Sequence, residues 1–260
     1  DMRGSSTLTI GASSVFAIEG TGNHDFWRAD NIGSGGRVIE VAERGRILWS
    51  GSADLRGGDG GAMVVRSGGF FEVQNNRTLT YNGSGNVPTF TNEGVFMKSS
   101  GDGKTTVAIP FANAASGSIG VYSGVVEFTS SFTNTNGSVM LDHGSALVVP
   151  GNLNMGTGSL MGWGTVTAPG GVTVGGTFFP ERLTITGDLT LLSSAFSGFD
   201  LGGPAQGITI EDGYGFVQVN GTATLGGTLG LHFANNFQST LSSESSLTLL
   251  SATSLTGAFA

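Results

Sequence analysis

Apolar residues alternate with small polar ones, in short runs, along most of the chain. Leu183-Thr184-Ile185, Leu189-Thr190-Leu191, Leu229-Gly230-Leu231-His232-Phe233 and Leu247-Thr248-Leu249 each set apolar side chains on one side and small or polar ones on the other. That period of two is the signature of a half-buried strand. Each run is soon broken by Gly, Asn, Asp or Ser, which supply the backbone angles that tight corners need. No stretch of ten residues carries the 3–4 spacing of an amphipathic helix free of Gly and clustered Ser/Thr. The pattern predicts an all-β protein with very little helix. Many short, evenly spaced strands leave a sandwich, a barrel or a solenoid.

A repeat separates these. Phe-x-Asn occurs as Phe90-Thr91-Asn92, Phe111-Ala112-Asn113 and Phe132-Thr133-Asn134, in two equal steps of 21. One further step reaches Leu153-Asn154 and the next reaches Val174, while Gly94, Gly117, Gly137 and Gly156 follow the motifs. A sandwich gives no reason for a constant step, whereas a parallel β-solenoid with rungs of about 21 residues does. Phe90, Phe111, Phe132, Leu153 and Val174 are then expected as an internal stack, and Asn92, Asn113, Asn134 and Asn154 as a ladder at a corner. Three regions are expected. Residues 1–84 form a decorated, charged part of the solenoid, 85–194 its regular rungs, and 195–260 an irregular C-terminal closing module.

Composition narrows the function. Glycine takes 46 of 260 positions, more than twice the usual share of about 7%, and charged residues only 12%. The formal net charge is −8. Residues 105–260 contain a single basic side chain, Arg182, against eight acids. Binding to nucleic acid or to an anionic membrane surface needs clustered Lys and Arg, so neither is expected. No run of 18 apolar residues is present, and membrane insertion through a helix is not expected. The absence of cysteine removes disulfides, thiolate catalysis and thiolate metal sites.

Candidate chemistry is sparse. Gly101-Asp102-Gly103-Lys104-Thr105-Thr106 has the ending of a phosphate-binding loop, but Lys98 stands where its first glycine belongs. Gly58-Asp59-Gly60-Gly61 lacks a serine at the nucleophile position of the protease motif it resembles. His24, His143 and His232 lie far apart in the chain, in no metal-ligand spacing. Paired threonines such as Thr165/Thr167 and Thr184/Thr186 suit the outward side of strands. The expectation is therefore no enzyme activity, no cofactor and no metal. The rival expectation is a polysaccharide-binding or polysaccharide-cleaving protein, with Trp27, Trp49, Asp25 and Asp30 contacting the glycan.

The segment Tyr214–Leu231, with Leu249-Leu250-Ser251-Ala252 and Thr256-Gly257-Ala258-Phe259, resembles the closing module of autotransporter-type passengers and related repeat-rich bacterial surface exoproteins. Asn92-Glu93-Gly94, the Phe-x-Asn repeats and Pro169-Gly170-Gly171 are similar to the same group, so the resemblance covers about residues 85–260. Gly215 departs from it, standing where the group carries an acid. The resemblance implies a single-stranded right-handed parallel β-helix, displayed extracellularly or on a bacterial cell surface. It further implies a structural role in adhesion, extracellular matrix or filament assembly. The expected partners are other copies of the chain, stacked end to end as homo-oligomers or filaments, and a carbohydrate or host matrix surface.

Overall fold

The computed structural model describes residues 7–27, 36–83, 85–206 and 213–260, with the backbone alone for 26–27. Within these residues the chain is all-β, and its only helix is the single 3-10 turn Phe237–Thr240. The strands fall into a 6-stranded and a 21-stranded sheet. Every strand-to-strand ladder is parallel.

The order of pairing follows from strand length. Three- and four-residue strands end at a corner before they can fold back, so the chain passes through three strand positions and then pairs with where it began. The first face holds Thr7–Ile10, Val38–Val41, Ala62–Val65, Thr89–Asn92, Phe111–Asn113 and Phe132–Asn134, in that spatial order. The second begins with Val15–Ile18, Arg46–Trp49, Phe70–Val73 and Val95–Lys98. The third begins with His24–Trp27, Leu55–Gly57, Thr78–Tyr81 and Lys104–Val107. In Ser159–Thr167 and Thr177–Thr186 the second and third faces are carried by one long strand that crosses the corner. Pairing runs unbroken across both expected boundaries. Ala62–Val65 pairs with Thr89–Asn92, and Leu189–Leu191 pairs with Phe216–Leu225.

Alternation decides what is buried. On the second face Phe71 and Val73, Phe96 and Lys98, Ile119 and Val121, and Val139 and Leu141 all point inward. The core is one continuous cluster running from Ile10 to Ala223. A second small cluster, Leu201, Tyr214 and Phe237, lies between the last strands and the 234–249 excursion.

The step of 21 recurs on the other faces beside the Phe-x-Asn repeats, as from Lys104 to Val125, Val125 to Ala146 and Val139 to Leu160, but does not hold along the whole chain. Ile39 pairs with Met63 and Met63 with Phe90, while Leu153 pairs with Val172, Val172 with Leu189, and Leu189 with Ala223. Steps thus range from 17 residues, Val172 to Leu189, to 34, Leu189 to Ala223. Corners lengthen or shorten freely because only the strands are held in register.

Candidate functional site

Phe90, Phe111 and Phe132 stand in direct register on three adjacent strands. The rings of Phe90 and Phe111 stack at 4.8 Å, and those of Phe111 and Phe132 at 6.1 Å. Phe71, Phe96 and Phe128 join them from the other faces. Phe90 and Phe111 are buried, whereas Phe132 is half-buried. Val174 does not belong to this column. Leu153 is paired with Val172, because that turn has 19 residues, and Val174 pairs with Leu191 two positions on.

The asparagine ladder has three members rather than four. Asn92 donates to Asn113 and Asn113 to Asn134, both at 2.7 Å. Asn154 occupies the outward phase and is exposed; the next inward position is Met155, whose Sδ lies 3.7 Å from Asn134 Nδ2. The Asn154 backbone carbonyl still accepts from Asn134, at 3.0 Å.

The glycan contacts expected near the N-terminus do not assemble. Trp49 points inward by the alternation of Arg46–Trp49, is 1% exposed, and donates its Nε1 proton to the Ala53 carbonyl at 3.3 Å. Asp25 is held by Arg56 at 3.0 Å. Asp30 and the Trp27 side chain lie outside the described residues. The charged N-terminal part spends its carboxylates on stacking. Arg66 bridges Glu40 at 2.8 Å and Glu93 at 3.2 Å, which raises its pKa above the ordinary guanidinium value. Arg46 pairs with the buried Glu72, and Lys104 with Glu127 at 2.6 Å.

Lys98 is a group that the alternation alone would have found. It replaces an apolar residue in an inward column, between Val73 and Val121. Its ammonium donates to the Asn75 carbonyl (2.6 Å), Asn76 Oδ1 (3.0 Å), the Ser100 carbonyl (3.0 Å) and Thr105 Oγ1 (3.2 Å). Burial lowers its pKa to about 8, against the opposing charge of Asp102. All three protons are engaged, so the amine acts as a clamp on a corner.

The most distinctive surface feature lies where the second and third faces meet. Gly162 pairs with Pro180 and Trp163 with Arg182, so Glu181 is an extra residue in its strand. Such a bulge bends the strand and re-aims its side chains. Gly162 and Gly164, at φ of +102° and +140°, flank the tryptophan. A Cβ on Gly162 would fall 2.0 Å from the Leu141 carbonyl oxygen, and one on Gly164 2.5 Å from that of Ser145. Both positions therefore require glycine. Trp163 is left half-buried, edge-on to His143 at 5.6 Å. Together with Ser145, Thr165, Arg182 and Thr184 they line an open cleft of about 270 Å³. Glu181 stands beside it, its pKa raised by burial first and then by the charges of Asp200 and Asp142. Asp200 in turn holds Nδ1 of His232 at 2.9 Å.

Among the described residues no helix is long and apolar enough to cross a membrane, and no group of three or more His, Cys, Asp or Glu comes together as a metal site. Comparison with known protein families, curated proteins and solved structures finds no match to this chain.

Proposed function

We propose that the chain is a right-handed parallel β-solenoid segment, exported and displayed on a bacterial surface, with a structural role in adhesion, matrix or filament assembly. The observation that carries this reading is the return of the chain, after three strand positions, to in-register parallel pairing with its own previous pass. Parallel crossovers within one sheet are right-handed in about 98% of cases, which supplies the hand. A continuous apolar cluster from Ile10 to Ala223 makes a stiff support without cysteine, and outward positions rich in Thr, Ser and Gly give it a low-charge exterior. The resemblance of residues 85–260 to surface exoproteins supports the cellular address.

Two measurements test the reading. An antibody raised against the purified chain should label intact producing cells, and protease added to those cells should remove the label. Light scattering across a concentration range should show mass growing with concentration. Labelling only after permeabilisation would overturn the surface address, and a monomer at every concentration would overturn assembly.

A further inference from the structure

We infer that the cleft at Trp163 is a binding site for a neutral glycan, with one hexopyranose unit lying against the indole. Trp163 stands at the surface between two glycines that the backbone there requires, opposite the bulge at Glu181 on the next strand. A residue needed only for packing would follow the inward alternation, as Trp49 does.

The groups around the indole suit sugar hydroxyls. Arg182 is the only basic side chain in residues 105–260, and no described carboxylate lies within ion-pair distance of it. Its guanidinium is thus free to donate hydrogen bonds into the cleft, in which it stands in register with Trp163. Thr165 and Thr184 are in register with each other along the cleft and offer hydroxyls that donate or accept. His143 closes one side against the tryptophan edge. An aromatic face takes the C–H surface of a pyranose while polar groups around it fix orientation.

Charge selects among sugars. Asp142 and Glu181 immediately precede His143 and Arg182 of the cleft, and Asp200 stands close enough to act on Glu181. Three carboxylates against one arginine repel a uronate or a sialic acid, which leaves a neutral chain. The open cleft admits an internal unit of a polymer as well as an end.

The test uses the full chain on an array of β-linked glucose, galactose, mannose and N-acetylglucosamine oligomers beside an oligogalacturonate, followed by calorimetry with the best neutral oligomer. Trp163→Ala should weaken binding on the order of ten-fold or more, as loss of an aromatic anchor does. Trp163→Phe should retain much of it, and Arg182→Ala should also weaken it. All three should keep the wild-type melting temperature within a few degrees, which excludes unfolding as the cause. No retention of any oligomer at millimolar concentration would overturn the site, as would binding that Trp163→Ala leaves unchanged. Preferential capture of the oligogalacturonate would overturn the assignment of a neutral ligand.

Discussion

Asn92 donates its side-chain amide to Oδ1 of Asn113, 2.7 Å away and 21 residues later in the chain. The two stand opposite each other on parallel strands, and Asn134 extends the line by one more bond. The first member is incomplete, because Oδ1 of Asn92 is buried without a partner. Its neighbour on the preceding strand is Val65, and beyond that Val41.

That orphaned oxygen yields a paired prediction. Val65→Asn places an amide donor directly beneath Asn92 and lengthens the ladder by one bond. Val41→Asn buries the same amide in the same column, one strand short of the ladder. Both lose valine packing, but only the first gains a partner, so Val41→Asn should be the more destabilising by about 1–2 kcal/mol. Urea denaturation of the two variants measures the difference, and equal losses would show that the ladder does not propagate.

Phe111 sits between Phe90 and Phe132 and also touches Phe96 and Phe128. Phe111→Ala should cost about 3–5 kcal/mol, the usual loss for a truncated core aromatic. Phe132→Ala should cost less, because that ring is half-buried. The double variant should lose less than the two single losses combined, since each truncation already loosens the contact the other would remove. Thermal unfolding of the four proteins provides the check, and additive losses would mean that the two rings are energetically independent.

Lys98→Met should destabilise the fold by about 1–3 kcal/mol, because it leaves the Ser100 carbonyl without its donor and strips one of two donors from the Asn75 carbonyl, which keeps only the Thr105 hydroxyl. The effect depends on pH with a definite sign. The unfolded chain holds this proton up to the ordinary value of 10.5, whereas the folded chain releases it near 8. Between those values the unfolded state binds more protons, so wild-type stability rises with pH relative to the methionine variant. Below pH 8 the gap between the two should be flat. Denaturation curves at pH 7, 9 and 10.5 would reveal a gap that instead narrows, and with it an amine that is not desolvated.

Sequence reading reached the fold further than the surface. The repeat Phe90-Phe111-Phe132 was legible because those turns keep one length, so residues equal in type are also equal in register. Val174 was misplaced by two positions because the corners after Leu153 hold fewer residues, and corner length leaves no mark on hydrophobic alternation. Asn154 and Trp49 were errors of parity. Met155 is the inward neighbour of Asn154, and the alternation of Arg46–Trp49 turns the indole inward along with Ile47. Trp163 was invisible for another reason. Its flanking glycines read as a corner, and the bulge that presents it arises only from the mismatch with Pro180, Glu181 and Arg182 on the next strand.

The freedom of the corners leads to the last prediction. Ala114 to Gly117 make a turn closed by the Gly117 amide on the Ala114 carbonyl, with Ala115 and Ser116 exposed. Two residues inserted between Ala115 and Ser116 should lower stability only slightly, since each doubling of a loop costs only about 0.6 kcal/mol. One residue inserted between Phe111 and Ala112 acts differently. A slip of one turns each following side chain to the other side of the strand, so Ala112 would enter the core and Asn113 would leave it. That single insertion would break the bonds of Asn113 to both Asn92 and Asn134 and separate the Phe column from its ladder. The shorter insertion should therefore be the far more damaging of the two. A comparison of melting temperatures decides it, and equal tolerance would mean that strand register is not what organises this chain.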